Sequence, residues 1–165
     1  MSYPFKVTAL KGYLSQKHIF DKSPNISQLP SQNSYYIVDD DLDDQQFLIE
    51  ALTENDQDAQ CLTALNGSEA IRNLMKVGAK LSDAIFLDLN MPQLNGKECL
   101  RNLKRTPSLR HIPVIIYSTT TNQKEVHETL KMGASFFIVK KENFQELREE
   151  LRKLIKLIKD LKPNI

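Results

Sequence analysis

Three consecutive aspartates, Asp39-Asp40-Asp41, close the apolar run Tyr35-Tyr36-Ile37-Val38. Asp88 closes Ala84-Ile85-Phe86-Leu87, Ser118 and Thr119 close Pro113-Val114-Ile115-Ile116-Tyr117, and Lys140 closes Phe136-Phe137-Ile138-Val139. Brought to one place, these groups make a particular chemistry available. Three unpaired carboxylates within a few ångströms repel one another by several kcal/mol at an effective dielectric of about 20, so either their pKa values rise or a cation enters. Hard oxygens at close quarters suit Mg²⁺, which completes its octahedron with carbonyls, water and phosphate oxygens. An ammonium and Mg²⁺ opposite a carboxylate can neutralise a phosphoryl group during in-line transfer. The Ser118 hydroxyl would donate to a phosphoryl oxygen. An aspartate nucleophile is ionised at neutral pH and forms an acyl phosphate without a general base. Each group alone has an ordinary explanation as a turn, cap or surface residue. The conjunction is what carries weight: four polar stops at four strand ends, in the order acid pair, acid, hydroxyl, lysine.

The elements that must position them follow from periodicity. Five apolar runs alternate with five amphipathic stretches. The second run is Ala59 to Ala64, closed by Asn66-Gly67, and Ser68 is the expected N-cap of the helix that follows. Helical stripes are set by Phe47, Leu48, Ala51 and Leu52; by Ala70, Ile71, Leu74 and Met75; by Cys99, Leu100 and Leu103; by Val126, Leu130 and Met132, ending at Gly133; and by Leu147, Leu151, Leu154, Ile155 and Ile158 between about Phe144 and Leu161. The runs are continuously apolar, as expected of strands covered on both faces. The predicted fold class is α/β: a doubly wound, five-stranded parallel sheet in the order 2-1-3-4-5. In such a sheet the strand carboxyl ends converge on one crevice, where the first and third strands diverge.

Residues 1–34 differ. They hold six Ser, three Pro and a local charge of +3, and read as a flexible N-terminal extension, with residues 35–165 forming the domain. Phe5, Val7, Leu10 and Leu14 could line a short helix, against which Pro4 and Gly12 argue. The 165 residues carry a net charge of +1, giving no overall field to recruit nucleic acid or anionic lipid. Cys61 and Cys99, both inside apolar stretches, read as core thiols in a reducing cytosol. No apolar run approaches the ~18 residues of a membrane span, and no signal peptide opens the chain. These features predict a cytoplasmic protein that binds neither membrane nor nucleic acid.

At these residues the sequence resembles the receiver domain of two-component response regulators, over about residues 35–161. The carrying motifs are YYIVDDD, AIFLDLNMPQLNGKECL, IPVIIYSTT and GASFFIVKK, of which LDLNMP followed by NG is the most specific. The resemblance implies a flavodoxin-like, CheY-like fold. It implies that Asp39 and Asp40 hold Mg²⁺ together with Asp88 and the backbone carbonyl of Asn90, and that Asp88 is the phosphoacceptor. It makes Ser118 the switch hydroxyl, Lys140 the site lysine and Phe137 the aromatic that turns with the switch. The spacings, 30 residues from Asp88 to Ser118 and 22 from Ser118 to Lys140, agree with the family pattern. The wording TPSLRHIP is similar to single-domain receivers that partner phytochrome-like or other hybrid kinases. Two departures stand out. Lys141 replaces the proline usual after the lysine, which bears on the loop that follows, and Thr119 replaces a smaller residue beside the phosphoryl site.

The implied function is phosphoryl acceptance on Asp88 from a histidine kinase or phosphotransfer protein, with at most slow self-hydrolysis. The switched face would be the fourth helix, fifth strand and fifth helix, read by an unknown downstream protein. The same face could form a homodimer through Lys153, Lys156 and Lys159. Only Lys162 to Ile165 follow the last helix, so a stand-alone receiver is expected. Two alternatives remain at this level. The D-x-D of Asp39 and Asp41 is similar to that of haloacid-dehalogenase-type phosphatases, in which Asp39 would be the nucleophile. A receiver-shaped interaction protein that is never phosphorylated is the other.

Overall fold

A computed structural model of the chain describes residues 32–92 and 95–160. Its elements are β1 (Ser34–Val38), α1 (Leu42–Asn55), β2 (Gln60–Ala64), α2 (Gly67–Leu74), β3 (Ala84–Leu87), α3 (Gly96–Arg105), β4 (Val114–Ser118), α4 (Gln123–Lys131), β5 (Phe136–Val139) and α5 (Phe144–Asp160). The strands form one sheet, all neighbours parallel, in the order β2-β1-β3-β4-β5. This is the expected architecture.

Alternation along each strand divides the core in two. Tyr35, Ile37, Phe86, Ile115, Tyr117 and Ile138 face α1 and α5, packing with Leu48, Leu52, Leu147, Leu151 and Leu154. Tyr36, Val38, Ile85, Leu87, Val114 and Ile116 face the opposite layer, with Ala70, Leu74, Cys99, Leu100 and Leu103 from α2 and α3. The apolar stripes predicted for the third and fifth helices are buried in full.

The helix starts share one device: a short polar side chain accepts the first free backbone N–H groups. Asp41 caps α1 through the N–H groups of Asp43 and Asp44, Asn95 caps α3 and Asn122 caps α4. Asn143 accepts from Glu146 N–H in the first turn of α5. The cap of α2 is Asn66, not the expected Ser68: its oxygen accepts from Glu69 N–H while the Glu69 carboxylate accepts from Leu65 N–H. That reciprocal pair starts the helix one residue before the serine.

Four further expectations are corrected. Leu130 is 38% exposed, and the inward face of α4 is Val126 and Thr129. Thr129 can be buried because its hydroxyl donates to the carbonyls of Glu125 and Val126. Met75, just beyond α2, is exposed. Cys61 lies half-buried on the edge strand β2, whereas Cys99 is fully buried. Finally, Asn33 is buried and Ser34 opens β1, so the packed chain reaches two residues into the expected extension. Phe5, Val7, Leu10 and Leu14 lie outside the described residues.

Candidate functional site

Register brings the polar stops together. Val38 pairs with Ala64 and Leu87, Leu87 with Ile116, and Ser118 with Val139. The next residue on each strand continues the ladder: Asp39 N–H donates to Ala64 O at 3.1 Å, Asp88 N–H to Val38 O at 2.9 Å, and Lys140 N–H to Ser118 O at 2.9 Å. The side chains that matter are therefore anchored by sheet hydrogen bonds, not by loops. Lys140 needs no following proline to be held in line, and Lys141 does not disturb it.

On this rim the carboxylates of Asp39, Asp40 and Asp88 each bring an oxygen within 4.8 Å of the others. Asp39 and Asp88 are 2% and 5% exposed, while Asp40 faces solvent. Lys140 Nζ lies 2.7 Å from Asp39 Oδ2, 2.6 Å from Asp44 Oδ2 and 3.6 Å from Asp88 Oδ2. It also stands 5.5 Å from the centre of the Tyr117 ring, within cation–π range. Asp88 Oδ1 accepts from its neighbour Leu89 N–H, and Asp39 Oδ1 from Asp41 N–H. Gln45 fixes the β1 end from behind, its amide donating to Asp39 O at 2.7 Å.

Burial raises the Asp39 carboxyl above its usual range, opposed by Lys140. Burial alone would lower Lys140, but its hydrogen bonds to Asp39 and Asp44 carry it above the ordinary lysine range. The ammonium thus stays charged, facing the carboxylates of Asp39, Asp44 and Asp88. The donor set is all hard oxygen, which fits a divalent cation such as Mg²⁺ or Mn²⁺ and disfavours soft-metal chemistry.

On the other flank Ser118 is fully buried, and its Oγ lies 3.5 Å from Asn90 Nδ2 and 3.4 Å from Thr120 N. Thr119 is exposed and also accepts from Asn90 Nδ2, at 3.3 Å. Phe137, half-buried, packs on the core beneath α2 and α3. Below Asp88 the chain passes Gly96 at very close range. A Cβ there would fall 2.6 Å from Leu89 Cα and 2.9 Å from the Asp88 carbonyl carbon, and nearer still to its oxygen. Only glycine allows α3 to begin against the aspartate's own backbone.

Sequence reasoning found Asp39, Asp40, Asp88, Ser118 and Lys140 on one rim but missed Asp44, Gln45 and Tyr117. Asp44 and Gln45 sit in the first turns of α1, where an acid or amide reads as a cap or solvent residue. Asp41 takes a different part from its neighbours, as the cap of α1. Lys159, offered for a dimer contact, pairs with Asp56 of the same chain at 3.0 Å.

Residues 36–152 match the family described as response regulator receiver domain. Among curated proteins, the response regulator Rcp1 of Synechocystis sp. is 27% identical over 115 residues, covering 67% of this chain and 78% of Rcp1. Two other curated relatives are far longer, and the chain spans only 28% and 11% of them. Among solved structures, the phosphorylated cyanobacterial phytochrome response regulator RcpA matches with a TM-score of 0.72 and 26% identity, over 80% of this chain and 97% of that one. The Mn²⁺-bound form of Rcp1 matches with a TM-score of 0.68 and 23% identity, over 81% and 97%. Among the described residues, no helix is long and apolar enough to cross a membrane.

Proposed function

The chain belongs to the response regulator receiver domain family, and from that membership we propose that Asp88 accepts a phosphoryl group from a histidine kinase or phosphotransfer protein. The observation that carries this reading is the buried Asp88 carboxylate, set within reach of Asp39, Asp40 and the Lys140 ammonium on one rim. In the transfer, an Asp88 carboxylate oxygen forms a bond to phosphorus as the bond to the donor's leaving group breaks.

Asp39, Asp40 and Asp88, with the Asn90 carbonyl, would hold the divalent cation, as the manganese form of Rcp1 supports; Mg²⁺ is the proposed ion. Bound there, it supplies positive charge to the phosphoryl oxygens. Lys140 supplies the second positive charge. Ser118, buried beside Asn90, donates its hydroxyl to a phosphoryl oxygen and moves toward Asp88. Phe137 turns into the space that Ser118 leaves, and the face made by α4, β5 and α5 changes for a downstream protein. A bias of a few kcal/mol is enough to invert the two populations. Lys153 and Lys156 leave a phosphorylation-promoted homodimer through this face as a further part of the proposal. The unit that does this is the receiver domain from Asn33 onward, and it acts in the cytoplasm.

The phosphatase reading loses its second acid, since Asp41 is spent on two backbone N–H groups of α1. A receiver shape that is never phosphorylated would have no need of three acids around the Lys140 ammonium beside an exposed fourth, Asp40. The test is labelling by acetyl phosphate with Mg²⁺, followed by phosphopeptide mapping. Label on Asp88, lost in Asp88→Asn, is expected. Label on Asp39, or equal labelling of the variant, overturns the reading.

A further inference from the structure

The Lys140 ammonium on the rim is not where phosphoryl chemistry at Asp88 needs it. An ammonium has three donors. Lys140 spends two, on Asp39 at 2.7 Å and on Asp44 at 2.6 Å, and its 3.6 Å separation from Asp88 is beyond a hydrogen bond. Asp44 is the odd member of this group. It belongs to α1 and not to a strand end, and it lies outside the trio able to hold a metal. Its position is nonetheless fixed: the Asp41 cap accepts from Asp44 N–H at 3.2 Å, and a carboxylate in the first turn is favoured by the helix N-terminus.

We propose that Asp44 is a positioning residue that holds the Lys140 ammonium toward α1, away from Asp88, and yields it when a phosphoryl group arrives there. This rests on the reading of Asp88 as phosphoacceptor. A phosphoryl group brings three acceptor oxygens and a charge near −2, against one carboxylate that is 42% exposed. The flexible lysine stem lets the head move between them. Asp44 thus opposes phosphorylation, because the ammonium must leave it to serve Asp88. It also links the state of Asp88 to the first turn of α1, whose carboxylate loses its partner when Lys140 departs.

The experiment compares Asp44→Asn, Asp44→Glu and Asp43→Asn with wild type. Asp43 lies in the same turn, is exposed and has the same charge, so its variant controls for charge alone. Beryllofluoride with Mg²⁺ is the binding probe, followed by amide NMR, with acetyl phosphate as the reacting donor. Asp44→Asn should bind beryllofluoride about two- to fivefold more tightly, the factor a partly exposed ion pair is worth. It should lower the KM for acetyl phosphate with little change in kcat. Asp44→Glu should stay near wild type, as should Asp43→Asn. In a crystal structure of Asp44→Asn without any phosphoryl analogue, Lys140 Nζ should move from 3.6 Å to hydrogen-bond distance of Asp88 Oδ2. An unmoved Lys140, or an equal gain in Asp43→Asn, overturns the proposal. Asp88→Asn is run alongside: if it labels like wild type, the phosphoacceptor reading fails, while the lysine position in Asp44→Asn still decides the role of Asp44.

Discussion

Gly96 lies against the backbone of Asp88 so closely that a methyl group on it would overlap the Asp88 carbonyl. The obstacle is main chain, which cannot swing aside as a flexible side chain would. Gly96→Ala is therefore expected to cost about 2–4 kcal/mol, at the upper end for overpacking, and to displace Asp88. Urea denaturation and acetyl phosphate labelling both check this; a change below about 0.5 kcal/mol, the range of an indifferent surface change, would show that the helix start can shift freely.

At the far end of the sheet, Asp56 accepts from the Asn33 amide, the Tyr35 hydroxyl and Lys159. Burial pushes its carboxyl up, but these three donors together hold it below the ordinary range. A depressed pKa means stability present above the unfolded value of about 3.9 and lost as pH falls through the folded one. Asp56→Ala should cost about 1–3 kcal/mol, since it leaves the buried Tyr35 hydroxyl unpaired. It should also flatten the stability profile below about pH 4. Denaturant titrations from pH 2.5 to 7 test both.

Lys104 predicts a slope of the same sign in the alkaline range. Its stem packs on Gly133 and its ammonium donates to Arg110 O at 3.2 Å and Ile112 O at 2.8 Å, while burial pulls its pKa down to about 8. Between about 8 and 10.4 the unfolded chain holds the proton that the folded chain has released, so stability rises with pH, by up to about 1.4 kcal/mol per unit. Lys104→Met should lack that rise. Parallel slopes for the two proteins above pH 8 would count against it.

Removing Lys140 strands a buried carboxylate. Lys140→Ala should lower stability in EDTA by about 3–5 kcal/mol, the cost of breaking a buried ion pair, and Mg²⁺ should recover part of the loss. In wild type, Mg²⁺ at ten times its Kd should add about 1.4 kcal/mol, and Asp39→Asn should remove that gain. Thermal melts with and without EDTA read both effects.

The strands and their polar stops were legible because a parallel sheet covered on both sides demands unbroken apolar runs, and an aspartate or lysine ending such a run is conspicuous. Asp44 was not, because a carboxylate in a first helical turn serves the helix dipole whether or not a lysine lies near it, and Lys140 is 96 residues away in sequence. Thr129 escaped for a related reason: its hydroxyl is satisfied within its own helix, so a polar letter occupies a core position. The cap of α2 turned on a side-chain pairing between Asn66 and Glu69 that Ser68 obscured.

Asp39, Asp88 and Lys140 extend the ladder by one backbone bond each, so their geometry is inherited from strand pairing and has no separate hinge. Such a centre cannot wear out ahead of its scaffold. Heating should leave phosphate uptake intact until the cooperative collapse of the whole domain, and then abolish it within the same few degrees.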